Sequence, residues 1–505
     1  MPVVLRIAFR NIWEHKSKTL IIGILVAIGC IILVLGNAFM DTSAKGIREI
    51  FIEYFTGDMM IHGASKDPVS IFGVQSMTMD SDTSIPVISD YDKVLNHVKQ
   101  DPRVSKATSM SVAYGLLSAD IDDVVTISDD NEDMNFGIVF GVDAGTYFDM
   151  FPSVKSNLIA GRCLQPGEKA AMLNSKQLEK LSKKYGRDFK VGDKILINGF
   201  GTAGMRIREA EIVGIYDLDS SSNSMPFIYT DVDTARVLGG LTLGTDESIE
   251  IAPEQQQLLN TSDEDALFSD DAFSDDIISS APVATSSVDI TKPETLLGDV
   301  SRRDLLNSSD TGSWNFILVR LQNSADTAHE MASYTSWFAD NNIDAEVTDW
   351  KGAAGSMGSF TDILRTIFNI ALLIISIVAV IIMMNTLVVS VIERTPEIGT
   401  MRALGAQRSF IRRMFLSETI MTTLLFGLIG SVISLILIGV LNLLKIQAPN
   451  DIFKMLFGGP VLHLSPNPLS FVITILMVFI VGWIAHLFPV SVALKVEPVK
   501  AMGTE

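Results

Sequence analysis

Apolar residues gather in four long runs along this chain, separated by stretches in which apolar and polar positions alternate. Thr19–Met40 is 22 residues without a charge, Thr366–Ile392 is 27 and Thr419–Leu444 is 26. A fourth run centres on Leu469–Leu487 within the charge-free stretch Met455–Leu494. A helix rises about 1.5 Å per residue, so each run can cross a hydrocarbon core of roughly 30 Å. Four such lengths in one chain predict a polytopic α-helical membrane protein with four transmembrane helices. Ala27-Ile28-Gly29-Cys30 faintly resembles a lipoprotein cleavage box, but the run continues ten residues past Cys30, so it reads as a retained span.

Between the first two runs the periodicity changes. Asp58–His62, Val104–Leu117, Trp314–Leu321 and Ala345–Thr348 read as strands, and Asp90–Lys99 and Ala325–Asn341 as helices. Two βαβ units flanking an insertion predict a large α+β domain between helices 1 and 2, with a split sheet drawn from 41–120 and 312–350. A β-rich subdomain is expected at 121–243, from strands at Val124–Ile127, Gly137–Val142, Lys194–Asn198, Glu211–Tyr216 and Pro226–Tyr229. Its one helix, Lys176–Tyr185, has Ser175 as N-cap and Gly186 past its end. The segment 244–310 departs from this pattern. It holds eleven acidic residues and no Lys or Arg from Asp246 to Asp276, repeats Phe-Ser-Asp-Asp at 268 and 273, and reads as a disordered insertion. Asp263 and Asp265 start an EF-hand-like spacing, but neither its Gly nor its terminal Glu follows.

The remaining boundaries follow from the runs and from Lys and Arg. Residues 1–18 form an interfacial elbow helix, with Leu5, Ala8, Phe9 and Ile12 on one face and Arg6 and Arg10 on another. Then come span 1 (19–40), the outer domain (41–365) with a stalk at 351–365, span 2 (366–392), a loop (393–418), span 3 (419–444), a short loop (445–468), span 4 (469–490) and a tail (491–505). Basic residues precede the first span, fill the 393–418 loop and follow the fourth, so both termini and that loop are expected in the cytoplasm. The 505-residue chain carries a formal charge of −20, yet 48% of its residues are hydrophobic. Residues 41–365 alone hold 52 Asp and Glu against 26 Lys and Arg, leaving a basic cytoplasmic edge elsewhere. That polarity excludes a basic nucleic-acid binder, and two cysteines exclude a disulfide framework or a cysteine-built metal centre.

Catalytic signatures are few. Gly199-Phe-Gly-Thr-Ala-Gly204 matches GxGxxG, but Met205 and Ile207 alternate with Arg206 and Arg208 as a strand does. The motif therefore reads as a turn between strands, not a nucleotide site. The six histidines lack metal-ligand spacing, and no GxxxxGK[ST] or GxSxG is present. No metal or cofactor is expected on this chain. Within the spans, Asn37, Asn369, Asn385 and Asn442 suit interhelical hydrogen bonds, and Gly23/Ala27 and Gly427/Ser431 suit close packing, within the chain or across a dimer seam.

The loop Glu393–Glu418 carries the most information. Thr395 can cap a helix with Pro396 in its first position and Glu397 in its first turn, and Gly405 suits its end. A second helix from about Gln407 leads into span 3. A short helix held between two long rigid ones suits force transmission from a cytoplasmic partner.

That segment, ERTPEIGTMRALGAQRSFIRRMFLSE, closely resembles the loop between spans two and three of FtsX-like/MacB-type ABC transporter permeases. FRNIWEHKSKTL (9–20), the VGDKILI and EIVGIYD segments, and PVSVALKVEPVKAM (489–502) extend the resemblance over nearly the whole chain except 244–310. The resemblance implies a dimer of permeases, homo- or heteromeric, bound to a cytoplasmic ABC ATPase dimer that carries the ATP and its magnesium. The coupling residues would then be Glu393, Thr395, Pro396, Glu397, Gly399, Arg402, Ala403, Leu404 and Gly405. GDMMIHG (57–63) and the lack of a fused ATPase are similar to the lipoprotein-releasing (LolC/LolE-like) permeases of the bacterial inner membrane. Those extract lipoproteins for a periplasmic carrier, which would place acyl chains near Leu33, Phe39, Phe368 and Leu372. Antibiotic or peptide export with a membrane-fusion protein, or control of a cell-wall hydrolase, are the alternatives.

Overall fold

A computed structural model of the chain describes residues 10, 13, 16–75, 84–120, 135–201, 204–217, 227–243 and 307–495. The elbow helix, the strand Val124–Ile127, nearly all of the acidic insertion and the tail beyond residue 495 lie outside the described residues.

Helix α1 (Lys16–Phe51) has 36 residues, about 54 Å at 1.5 Å per residue, well beyond a bilayer core. Its excess is buried. Ile47, Ile50 and Phe51 enter the core of the α+β domain with Phe140 and Phe227. One π turn (Ile52–Thr56) and Gly57 at φ +65°, a backbone region open chiefly to glycine, turn the chain into the first strand.

The domain contains β1 (Met59–Gly63), β2 (Val69–Ser70), β3 (Gly73–Val74), β4 (Val104–Ser118), β5 (Phe136–Val142), β6 (Leu158–Gly161), β7 (Ala170–Asn174), β8 (Lys194–Gly201), β9 (Gly204–Tyr216), β10 (Phe227–Asp231), β11 (Phe316–Leu321) and β12 (Ala345–Asp349). All but β2 and β3, which pair with each other, join one sheet in the order β12-β1-β11-β4-β5-β10-β7-β9-β6, with β8 pairing β4 and β9. Strands from 41–120 and 312–350 are neighbours as expected (β12-β1-β11-β4), but the strands of the expected β-rich subdomain continue the same sheet instead of forming one of their own. At 15 residues β4 is long enough to serve both: residues 104–110 pair with β11, and 110–118 with β5 and β8. The GxGxxG segment falls in the β8–β9 hairpin, where Gly201 pairs with Gly204.

Helices pack on both halves of the sheet. Met59 and Ile61 of β1 meet Val94 and Val98 of α2 (Tyr91–Gln100) on one face, while Met60 between them faces the opposite core, the alternation a strand imposes. Leu181 of α3 (Ser175–Tyr185) and Leu238 of α4 (Val232–Gly239) cover the other half. The cap of α3 is Asn174 rather than Ser175. Its side chain accepts from the Lys176 amide, and Gln177 completes a capping box. Helix α5 (Thr327–Asp340) adds Tyr334 and Phe338 beside α2.

After β12, one helical turn (Trp350–Ala353) places Ala353 and Ala354 in the core that also receives the end of α1. The chain then enters α6 (Ser356–Glu393), α7 (Thr395–Ala403), α8 (Arg408–Leu443) and α9 (Pro468–Lys495). Among the described residues α1, α6, α8 and α9 are long and apolar enough to cross a membrane. The loop between α8 and α9 contains an unexpected short helix, Asp451–Phe457, whose Phe457 ring packs edge-on against Phe39 at 6.4 Å.

The bundle is joined by small and polar residues. A Cβ on Gly23 would collide with the Phe426 ring, and one on Gly430 with the backbone of Ala27. The small-residue spacing thus serves α1–α8 packing inside this chain. Asn37 donates to Thr474 Oγ1 at 3.0 Å, and Asn442 exchanges two hydrogen bonds with the Leu464 backbone. Asn369 and Asn385 are instead exposed on α6. At the end next to the α+β domain, Asp41 of α1 accepts from Arg365 of α6 at 2.6 Å and from Ser470 of α9 at 2.5 Å.

Candidate functional site

The bundle end away from the α+β domain carries α7. The helix starts one residue earlier than the cap assignment requires. Thr395 lies in its first turn and donates to the Val391 carbonyl at 3.3 Å, so it does not cap. The reason is continuity: α6 ends at Glu393, so an i−4 carbonyl lies within reach of the Thr395 hydroxyl. Pro396 occupies the first turn, where its missing N–H costs no helix bond.

The far end closes as a Schellman turn. Gly405, at φ +96°, donates to the Arg402 carbonyl at 3.1 Å, and the Ala406 amide reaches Met401 at 3.0 Å. This turn leaves Leu404 89% exposed, the most exposed large apolar side chain among the described residues. Glu393, Pro396, Glu397, Ala403 and Gly405 are also exposed, and Arg402 and Thr395 are half-buried. Gly399 is buried beside Ile398, which packs with Ile411, Met414 and Phe415 of α8 and Val490 of α9. One face of α7 is therefore docked and the other open.

Sequence reasoning passed over the residue that fastens this helix. Arg394, 6% exposed, directs Nη1 to both carboxylate oxygens of Glu418 at 3.0 Å, and its Nε lies 3.4 Å from Glu397. Its guanidinium also stands 5.7 Å from the Phe415 ring centroid. The two partners lie 24 residues apart, at opposite ends of the loop. The only sequence signal was that Glu418 is the acid bordering the charge-free third run.

A second feature lies within the spans. Leu25, Gly29, Leu33, Ile375, Ala379 and Val481 line a cleft of ≈ 430 Å³ between α1, α6 and α9. Gly29 opens into it, since a Cβ there would meet nothing within 4 Å. Of the four acyl-contact candidates only Leu33 lines this cleft. Phe368 is stacked over Gly36, Phe39 packs on Phe457, and Leu372 is buried in the bundle core. Depth alone had suggested them, and depth does not say which side of a helix faces a neighbour. Among the described residues no cluster of three or more His, Cys, Asp or Glu could hold a metal ion.

Four spanning helices, a large α+β domain inserted after the first, and a short helix hung between the second and third define a membrane permease architecture. Residues 19–265 match the MacB-like periplasmic core domain and residues 369–498 the FtsX-like permease C-terminal domain. The chain belongs to the MacB/FtsX family of ABC transporter permeases, with its α+β domain outside the cytoplasm. The macrolide export ATP-binding/permease protein MacB of Agrobacterium fabrum is 34% identical over 122 residues, 24% of this chain and 17% of that protein. The ABC transporter permease YknZ of Bacillus subtilis is 29% identical over 209 residues, 39% of this chain and 47% of the relative. The chain thus spans less than half the length of these curated relatives. Among solved structures, the periplasmic region of MacB from Actinobacillus actinomycetemcomitans covers 62% of this chain and 97% of its own at 10% identity and a TM-score of 0.31.

Proposed function

We propose that this chain is the permease subunit of an ABC transporter that works by mechanotransmission. A separate cytoplasmic ATPase dimer binds the exposed face of α7, and both chain termini lie on that side of the membrane. The observation that carries this reading is the continuity of the rod. Helix α6 has 38 residues, about 57 Å at 1.5 Å per residue, and joins α7 at one end to the α+β core at the other. Movement of α7 would pass along α6 and across Gly355, at φ +59°, to Ala353 and Ala354 in the α+β core. ATP can drive it only to the extent that the ATPase binds two positions of α7 with different affinity. Asn369 and Asn385, exposed on an apolar span, support a second permease against α6, since polar side chains in a bilayer favour helix partners.

The cleft between α1, α6 and α9 is almost wholly apolar, which supports a cargo that enters from the bilayer. We infer a lipoprotein, withdrawn by its acyl chains from the inner membrane and passed to a periplasmic carrier. The test is depletion of the chain followed by fractionation of lipoproteins. Accumulation in the inner membrane is expected, and unchanged sorting would sink this cargo. A second reading, export of an antibiotic or peptide with a membrane-fusion protein, is favoured by the macrolide-export name of a relative. Unchanged sorting with increased macrolide or peptide sensitivity would select it.

A further inference from the structure

A second cleft, of ≈ 680 Å³, opens near α7 between the ends of α1, α6, α8 and α9, and has a chemistry of its own. Its lining is apolar at Ile22, Leu387 and Phe415 and polar at Glu418, Thr422 and Thr423, with the hydroxyl-bearing Thr19, Ser390 and Thr419 also on it. Thr422 and Thr423 are buried, at 6% and 4% exposure. Each hydroxyl proton is committed: Thr422 donates to the Glu418 carbonyl at 2.9 Å and Thr423 to that of Thr419 at 2.8 Å. What these oxygens offer a guest is therefore lone pairs. The Glu418 carboxylate also only accepts, and its ion-pair partner Arg394 does not line the cleft.

The depth is equally informative. Glu418 borders the charge-free run Thr419–Leu444, so it stands where headgroups meet hydrocarbon. A carboxylate and two acceptor hydroxyls at headgroup level, beside apolar side chains, suit a cation that donates hydrogen bonds and carries an alkyl chain. Glu418 is the one charged side chain on this lining among the described residues, and its charge repels a phosphate or carboxylate.

We propose that this cleft binds the primary ammonium group of an amphiphile, with its chain along Ile22, Leu387 and Phe415. An ethanolamine lipid of the adjoining leaflet and a free alkylamine present the same chemistry. The site is independent of which cargo the permease moves, so its failure would leave the proposed function untouched.

The test uses the full chain in detergent micelles, read by native mass spectrometry. Phosphatidylethanolamine competes with phosphatidylcholine of identical acyl chains, and dodecylammonium with dodecyltrimethylammonium. Each pair differs at nitrogen, where methylation removes the donors and keeps the charge. The primary form is expected to be retained roughly tenfold over the quaternary one, the scale of a charge-assisted hydrogen bond. Preference in the lipid pair identifies a membrane lipid as the source, and preference in the alkylamine pair alone identifies a soluble amphiphile. The double variant Thr422→Val/Thr423→Val, nearly isosteric, and Leu387→Trp, which fills the cleft, should each bring the ratio close to one. Equal retention in both pairs by the wild-type chain overturns the proposal, whatever the variants do. So does a preference that persists undiminished in both variants.

Discussion

Replacing Glu418 by Gln removes the charge against which Arg394 is buried, and the cost follows from the geometry. Arg394 is 7% exposed in its side chain and Glu418 17%, with 3.0 Å contacts to both carboxylate oxygens. Breaking a fully buried pair by removing one partner costs about 3–5 kcal/mol, and the partial opening at Glu418 lowers this to about 2–3 kcal/mol. The 3.4 Å contact to Glu397 cannot compensate, because that side chain is 59% exposed. An exposed pair of that kind contributes about 0.5 kcal/mol or less. The consequence is local: α7 loses its fastening to α8, while Ile398 still packs. Hydrogen exchange of the amides at 395–404 in the full chain should accelerate roughly 30- to 150-fold for Glu418→Gln. Glu397→Gln should change it by no more than roughly 3-fold. Equal, small effects of the two variants would show that the ion pair does not hold α7.

Three further expectations use other parts of the structure. Gly29→Leu projects into the intramembrane cleft from a position where a Cβ meets nothing within 4 Å, so transport should fall at least roughly tenfold while thermal stability in detergent stays within about 1 kcal/mol; wild-type transport would remove that cleft from the cargo path. Gly405→Val places a β-branched residue at φ +96° and should fray the α7 turn by about 1–2 kcal/mol, measured as faster exchange at Leu404–Ala406. His62 lies buried in β1 with Nδ1 2.8 Å from the Gly63 carbonyl, and burial holds its pKa below the usual imidazole value despite Glu346. Its neutral form is therefore the folded one, and the domain should lose stability as pH falls below about 6.5, where the unfolded chain takes up a proton first. Denaturant titrations between pH 7.5 and 5.5 should show a shallower pH dependence for His62→Gln, and an unchanged slope would assign the loss elsewhere.

The spans were legible because charge-free length is a one-dimensional property, and so was β1, a short apolar run buried on both faces. Long-range pairing was harder to read. Nothing in the residues of β4 announces that one strand bridges both halves of the sheet, because register is settled by partners such as Phe316 and Val142 that lie far away in the chain. The same distance hid Arg394–Glu418. The open face of α7 was largely legible, since Pro396 and Gly405 mark its ends by local backbone chemistry. The membrane contacts were not, because Phe39 and Phe368 have the right depth and composition yet turn toward Phe457 and Gly36.

The coupling role proposed for α7 can be measured with the full chain reconstituted together with a candidate ABC ATPase subunit in lipid nanodiscs. Leu404→Asp and Arg402→Glu alter the open face of α7 while leaving Ile398 and the Arg394–Glu418 pair in place. Both variants should insert and fold normally, and at least one should lower cargo-stimulated ATP hydrolysis roughly tenfold or release the ATPase. Wild-type hydrolysis and wild-type association in both variants would contradict the account.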